Sequence, residues 1–155
     1  MKLLVLHGPN LNLLGHRDVA NYGKATLQEI DARLLDSAKR HGATLESRQS
    51  NCEGELISWI QQAAFGEDKQ RMAGVLLNPG AYAHTSLALA DAIEDVVRQG
   101  VPVIEVHLSN VHGREPTRER LLTAKAASGV VSGLGPLSYD LGFEAVMALA
   151  REQLR

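Results

Sequence analysis

Short apolar segments alternate with longer amphipathic segments along the chain. Leu3–Leu6 is continuously apolar, further strand signals fall at 75–77, 102–108 and 129–132, and a weaker one falls at 44–49. Continuous apolar runs of this length are typical of strands buried on both faces of a parallel sheet. The pattern therefore predicts five strands that alternate with helices.

The amphipathic segments carry apolar residues at helical spacing. Four helices are predicted to begin at about residues 27, 53, 86 and 138. The first is preceded by Thr26, with Glu29 three residues later, which is typical of a capping box. For the last helix, the spacing predicts that a stripe formed by Leu141, Ala145, Ala148 and Leu149 faces the core.

Five strands joined by helices favour an α/β architecture at this chain length. The chain has 155 residues, and we predict one domain over residues 1–155. Because parallel strands need right-handed crossovers, helices must cover both faces of the sheet. The predicted fold is flavodoxin-like, with three layers and a five-stranded parallel sheet in the order 2-1-3-4-5. Ligands of such sheets bind beyond the carboxyl ends of the strands, near the loops after strands one, three and four.

Composition and charge exclude several classes of partner. The 16 Lys and Arg residues nearly balance 18 Asp and Glu residues, and only 4% of residues are aromatic. We expect no nucleic acid partner, because this chain offers neither a basic block nor a base-stacking surface. We expect no membrane span or signal peptide either, since every apolar run is short and the first ends at Gly8-Pro9. The single cysteine, Cys52, favours a cytoplasmic location.

Polar residues suited to chemistry are concentrated in the loops after those three strands. The first loop has roughly 19 residues, and we expect residues 16–25 to form a lid with hinges at Gly15 and Gly23. The candidate acid–base groups are Tyr22, His107, Glu105, Arg17, Arg114, Asn10 and Asn78. A phosphate-binding loop, metal-ligand spacing, a nucleophile elbow and a Schiff-base lysine are all missing from the sequence. We therefore expect no metal and no cofactor.

Two spacings among these groups indicate acid–base chemistry. A phenol is a weak base near its reference pKa of about 10, but guanidinium groups that favour the phenolate make it effective. Arg17 precedes Tyr22 in the same loop and is placed to do this. Glu105 and His107 lie two apart on one strand and share a face, so the carboxylate is suited to orient a protonated imidazole. Backbone N–H groups at Leu108-Ser109, where that strand ends, are suited to receive a carboxylate.

Four strings of residues, taken in order, resemble a known family. They are Gly8-Pro9-Asn10-Leu11-Asn12-Leu13-Leu14-Gly15 with Arg17, Tyr22-Gly23, Asn78-Pro79-Gly80-Ala81-Tyr82 with His84-Thr85-Ser86, and Glu105-Val106-His107-Leu108-Ser109-Asn110-Val111-His112. They resemble the type II 3-dehydroquinate dehydratases, from residue 3 to about residue 150. The resemblance implies the flavodoxin-like fold, a hydro-lyase without metal or cofactor, and a homododecamer built from four trimers.

The resemblance also implies a reaction and a role for each site residue. The reaction is the reversible anti elimination of water from 3-dehydroquinate to 3-dehydroshikimate, through an enolate, in the shikimate and quinate pathways. Tyr22 is then the base, Arg17 assists it, and Asn10 stabilises the enolate oxygen. His107 is the general acid, and Glu105 orients it. The implied substrate-binding residues are Asn78, His84, Asp91, Leu108, Ser109 and Arg118, with Asp91 reaching the site of a neighbouring subunit.

Each candidate also has a purely structural interpretation. Tyr22 fits a partly buried loop tyrosine, and Glu105 fits the buried partner of an arginine. Asn10 and Asn78 stand beside proline or glycine and fit turn caps. The other structural interpretations are that His84 caps a helix and that Asp91, Arg114 and Arg118 are solvated surface charges. Two other functions stay open: a non-catalytic member of the fold that binds or senses a small acid and, by fold analogy alone, a nucleotide-binding module.

Overall fold

A five-stranded parallel sheet organises the protein. The computed structural model describes residues 1–153, except for the side chains of Val19 and Asn21; residues 154 and 155 of the predicted domain lie outside the described residues. The strands are β1 (Lys2–His7), β2 (Thr44–Gln49), β3 (Gly74–Asn78), β4 (Val103–His107) and β5 (Gly129–Ser132). Their order is β2-β1-β3-β4-β5, and every neighbouring pair is parallel. The predicted α/β fold and strand order are confirmed.

Four long helices cover the two faces of this sheet. They are α2 (Leu27–Arg40), α3 (Glu53–Phe65), α4 (Leu87–Arg98) and α5 (Leu137–Gln153), and a single turn, α1 (Val19–Tyr22), lies in the loop after β1. Side chains of β1 alternate between the faces: Val5 is buried with α2 and α5, and Leu4 with α3 and α4. Among the described residues, no helix is both long and apolar enough to cross a membrane.

Local sequence signals set the helix ends. Thr26 and Glu29 form the predicted capping box at the start of α2, each side chain bonding the backbone of the other residue. At the start of α4, the Ser86 hydroxyl accepts a hydrogen bond from Leu89 N at 2.9 Å. These caps satisfy N–H groups that have no partner within their own helix. They fix where α2 and α4 leave the edge of the sheet that carries the candidate residues.

The predicted inner face of the last helix is wrong. Leu141 is 43% exposed, Ala148 is also exposed, and Ala145 and Leu149 are only half-buried. The buried residues of α5 are Ser138, Tyr139, Gly142, Phe143, Val146, Met147 and Ala150. The helix is therefore rotated from the predicted orientation, so that Gly142 and its larger neighbours face the sheet.

Close approach of α5 to the sheet explains this rotation. A Cβ added at Gly142 would lie 2.5 Å from Val106 Cγ1 and 2.7 Å from Leu76 Cδ1, well inside van der Waals contact. The backbone of α5 thus packs directly onto β3 and β4 where no side chain intervenes. The prediction from the sequence placed only leucine and alanine on the buried face of this helix. It did not consider Gly142 and therefore missed this contact.

We expect Gly142→Ala to destabilise the protein by about 1–3 kcal/mol, because the added methyl group overpacks the contact with Val106 and Leu76. The matched control is Gly54→Ala in α3, where an added Cβ meets nothing within 4 Å. That change is expected to stabilise by about 0.5–1 kcal/mol through helix propensity alone. Urea unfolding measures both, and equal effects of the two substitutions would contradict this account of α5.

Candidate active site

A pocket lies where the loops after β1, β3 and β4 meet at the carboxyl edge of the sheet. Its volume is about 630 Å³ including space open to solvent. The predicted site residues that line it are Asn10, Arg17, Tyr22, Asn78, His84, His107, Leu108, Ser109 and Arg118. Arg114 lines it as well, so three guanidinium groups surround one cavity. Such a wall is suited to an anionic ligand.

Tyr22 is held by two arginines at the mouth of this pocket. Its phenol oxygen accepts a hydrogen bond from Arg114 Nη1 at 2.6 Å. The guanidinium carbons of Arg17 and Arg114 lie 5.1 Å and 5.4 Å from the ring centroid. The bond to Tyr22 raises the pKa of Arg114 above its usual value, so this guanidinium remains charged. A cation that donates to a phenol oxygen favours the phenolate over the phenol.

The hydrogen bond to Tyr22 comes from a residue that the sequence did not single out for this purpose. Proximity in the chain pointed to Arg17, whereas the donor is Arg114, which is 92 positions away. Arg17 instead lies against the ring. Two guanidinium groups therefore contact Tyr22, one at its oxygen and one at the face of its ring.

The segment that carries Arg17 and Tyr22 begins and ends at glycines with left-handed backbone. Gly15 has φ 85° and Gly23 has φ 77°, values that cost other residues conformational energy. Between them, Asp18 has φ 36° and the chain forms the single turn of α1. These two glycines are the positions predicted as hinges, and they bound a segment whose Arg17 and Tyr22 line the pocket.

His107 and Glu105 form a buried pair on β4. Their Nε2 and Oε1 atoms are 2.6 Å apart, and the exposed fractions of the side chains are 6% and 0%. A carboxylate only accepts hydrogen bonds, so Nε2 carries a proton and Nδ1 is left for the pocket. The second oxygen, Glu105 Oε2, is buried and has no bond from any described residue. Glu105 is therefore paired with a histidine, and the structural interpretation that made it the buried partner of an arginine is wrong.

His84 presents one ring nitrogen to the pocket. Nδ1 lies 3.0 Å from the Arg120 carbonyl oxygen, which can only accept, so Nδ1 carries the proton. The neutral ring then offers Nε2 as an acceptor for a ligand hydroxyl. Burial lowers the pKa of His84, and the nearby charge of Arg118 lowers it further, although the bond to Arg120 acts in the opposite direction. Because Ser86 caps α4, His84 is not needed as its cap.

The lowered pKa of His84 predicts a pH dependence of stability. A histidine whose pKa is lower in the folded state binds more protons when unfolded, so its contribution to stability is present above the unfolded pKa of about 6.5 and is lost as pH falls. We expect the free energy of unfolding to fall less steeply between pH 7 and pH 5 in His84→Gln than in the original protein. Urea unfolding across this range measures the two slopes, and a steeper slope in the variant would refute the assignment.

Two asparagines of the pocket have both a structural contact and a free group. Asn78 is buried, and its Oδ1 accepts a hydrogen bond from Gly80 N at 3.1 Å, as expected of a turn cap. Asn10 has φ 67°, and its backbone N–H donates to Asn51 Oδ1 at 2.9 Å. The turn-capping interpretation is therefore correct for Asn78, but it leaves the Asn78 amide N–H groups available. Turn geometry and ligand binding are compatible in this loop.

Asp91 and Arg118 occupy different environments. Arg118 is half-buried at the pocket, and its Nε donates to Glu115 Oε1 at 2.6 Å. Asp91 is exposed on α4 and is not among the residues that line the pocket. A single chain therefore does not bring Asp91 to the site, and its predicted action in a neighbouring subunit stays a prediction.

Comparison with known proteins identifies the family. The family model described as dehydroquinase class II matches residues 1–147. The chain belongs to this family. This match confirms the family that the loop motifs predicted, so the chain is a class II dehydroquinase.

Individual class II dehydroquinases resemble the chain over nearly its whole length. It is 51% identical to the 3-dehydroquinate dehydratase of Chelativorans sp. (strain BNC1), over 93% of this chain and 94% of that protein. It is 47% identical to the enzyme of the same name from Helicobacter hepaticus, over 98% of this chain and 92% of that protein. The crystal structure of type II dehydroquinase from Butyrivibrio crossotus matches with a TM-score of 0.88 at 36% identity, covering 95% of this chain and 97% of that one.

Proposed function

We propose that the protein is a 3-dehydroquinate dehydratase that converts 3-dehydroquinate to 3-dehydroshikimate and water by reversible anti elimination. Two relatives that carry this name are 51% and 47% identical to the chain. The observation that carries the proposal is the phenol of Tyr22, bonded to Arg114 in the same pocket as His107. An elimination of water requires a base for the proton and an acid for the leaving hydroxyl, and Tyr22 and His107 line one pocket.

Tyr22 is the proposed base. Its phenolate removes a proton from the carbon beside the substrate ketone, and the electron pair passes into an enolate. Arg114 supports the phenolate through its hydrogen bond and Arg17 through its contact with the ring. Asn10, which lines the same pocket, stabilises the enolate oxygen where charge develops.

His107 is the proposed general acid. As the enolate collapses, the bond between C1 and its hydroxyl oxygen breaks, and His107, reacting with a proton on both ring nitrogens, gives its Nδ1 proton to make the leaving group water and is left neutral. Glu105 does not line the pocket, so we assign it a positioning role: its bond to Nε2 orients the ring and directs Nδ1 to the substrate. The proton removed by Tyr22 and the proton supplied by His107 balance the reaction.

Three sets of groups are proposed to hold the substrate. The Asn78 amide and the backbone N–H groups of Leu108 and Ser109 receive the carboxylate, for which the positive wall of the pocket is suited. His84 accepts from a ring hydroxyl through Nε2, and Arg118 donates to another. These contacts exist in the ground state and in the transition state, so they act on binding more than on turnover.

The working unit is proposed to be larger than one chain. We infer a homododecamer, a tetramer of trimers, in which Asp91 reaches the substrate of a neighbouring subunit. The exposure of Leu134, Leu137 and Leu141, at 51%, 49% and 43%, supports burial of this surface in an assembly. Light scattering tests the inference, and a stable monomer contradicts it.

We also propose that residues 16–25 close as a lid and that the enzyme works in the reducing cytoplasm, where Cys52 stays a free thiol.

The assignment is tested by following the product directly. The conjugated enone of 3-dehydroshikimate absorbs ultraviolet light that 3-dehydroquinate does not, so turnover appears as rising absorbance. We expect this increase with the purified protein in the presence of a chelator. Folded protein that binds 3-dehydroquinate without an increase would instead be a non-catalytic binding member of the family.

A further inference from the structure

Hydrogen bonds join the loops after β1 and β2 at the side of the pocket. The two strands are neighbours in the sheet, and their last residues, His7 and Gln49, lie opposite one another. In the loop after β2, Asn51 Oδ1 accepts a hydrogen bond from Asn10 N at 2.9 Å. Neither Gln49 nor Asn51 lines the pocket, and the proposed reaction uses neither. This contact therefore reaches a pocket residue from outside the pocket.

Asn10 has a backbone conformation that needs support from its surroundings. Its φ of 67° is left-handed, which costs residues other than glycine conformational energy, although asparagine tolerates it better than most. The Asn10 side chain forms no cap bond within its own turn. The backbone is held instead, because its N–H donates to Asn51 and its carbonyl oxygen accepts from Leu13 N at 3.1 Å. Of these two bonds, the one to Asn51 comes from outside the turn.

The donors and acceptors of this contact determine how two side-chain amides are turned. A backbone N–H only donates, so the Asn51 atom that faces Asn10 is the oxygen. Gln49 Nε2 lies 3.1 Å from that oxygen and 3.2 Å from the Gly8 carbonyl oxygen, and both of these atoms accept. The Gln49 amide thus holds the Asn51 side chain against the loop after β1. The Tyr82 hydroxyl bonds the main-chain oxygen of Asn51 and not this side chain.

We propose that Asn51, held by Gln49, is a positioning residue that keeps Asn10 in the left-handed turn from which its side-chain amide donates to the enolate oxygen. This inference rests on the proposed function, which assigns the enolate to Asn10. The negative charge of the enolate develops during the reaction, so a donor that is already fixed in place stabilises it better than one that must first be oriented. Loss of the Asn51 side chain is therefore expected to act on turnover.

The test is the kinetics of Asn51→Ala, which removes the acceptor of the Asn10 N–H. Asn10 and Asn51 are both exposed, so water satisfies the freed N–H, and Tm is expected to fall by less than about 5 °C. We expect kcat to fall about tenfold while KM for 3-dehydroquinate changes by less than about threefold, because a misplaced donor weakens the transition state more than the ground state. An unchanged kcat, or a rise in KM alone, would overturn the inference.

Two further variants separate positioning from a general disturbance of the loop. Asn51→Asp keeps an oxygen that accepts from Asn10 and Gln49, and solvent screens the added charge, so kcat is expected to stay within about threefold of the original. In an Asn10→Ala background, Asn51→Ala is expected to change kcat by less than about twofold, because Asn51 acts through the Asn10 amide. Equal losses with and without the Asn10 side chain, or no recovery in Asn51→Asp, would contradict the proposal.

Ser50→Ala is the matched control in the same loop. The Ser50 hydroxyl also accepts from a backbone N–H, that of Cys52 at 2.8 Å, but its other bond goes to Glu55 in α3. We expect kcat of this variant to stay within about twofold of the original, since the bond that it loses does not involve Asn10. A loss as large as that of Asn51→Ala would show that the whole loop matters and would overturn the inference. Absence of turnover in the original protein would instead refute the proposed function.

Discussion

Replacing Tyr22 with phenylalanine is expected to lower kcat by roughly 10²–10⁴-fold, because the variant has no oxygen with which to take the substrate proton. The ring remains, so its packing against Arg17 and Arg114 survives. Asn78 and the backbone of Leu108-Ser109 are unchanged. The loss therefore falls on turnover, and affinity for 3-dehydroquinate, measured by calorimetry with the inactive variant, is expected to change little.

A second tyrosine provides the matched control for this substitution. The Tyr82 hydroxyl donates to the Asn51 carbonyl oxygen at 2.7 Å and is not part of the pocket wall. Tyr82→Phe also removes one phenol oxygen, but it is expected to change kcat by less than about fivefold, the cost of one structural hydrogen bond. Near-original kcat in Tyr22→Phe, or equal losses in the two variants, would show that Tyr22 is not the base.

Replacing His107 with glutamine is expected to lower kcat by roughly 10²–10⁴-fold, because an amide has no proton to give to the leaving hydroxyl. Glutamine is chosen because its N–H groups can still donate to Glu105. An apolar residue would leave that carboxylate buried without a partner, which destabilises by about 3–5 kcal/mol and would confuse catalysis with folding. Initial rates of enone formation measure the effect.

The nature of the leaving group separates acid catalysis from a loss of structure. For a substrate analogue whose leaving group is much less basic than hydroxide, protonation is unnecessary, and the deficit of His107→Gln is expected to shrink markedly. The control is His112→Gln, at an exposed histidine outside the pocket, which is expected to leave both rates unchanged. An equal deficit for both leaving groups would argue against His107 as the acid.

Strands and helix starts could be predicted from the sequence because they depend on neighbouring residues. The strand at 44–49, the strand at 129–132 and the Thr26 capping box all occur where the local pattern places them. The face of α5 could not be predicted in this way. Which side of a helix is buried depends on the partner surface, and here Leu76 and Val106 leave room only for Gly142.

The composition of the site could be predicted, but not its contacts. The loops after three strands collect at one edge of any sheet of this order, so the residues on them were expected to meet, and they do. The donor to Tyr22 was not identifiable, because Arg114 reaches it only across the folded pocket. Asn51 was missed for a similar reason. An asparagine between a strand and a helix gains meaning only when the loops after β1 and β2 lie side by side.

The order of strands and helices, the family, and the loops that carry Tyr22, His107 and Asn78 could all be inferred from the sequence. Those properties follow from periodicity and from motifs that are contiguous in the chain. Which arginine bonds Tyr22 and which face of α5 is buried became visible only in the folded chain. These depend on contacts between residues far apart in the chain, where hydrogen-bond geometry and close packing select one partner among several of the same chemical type.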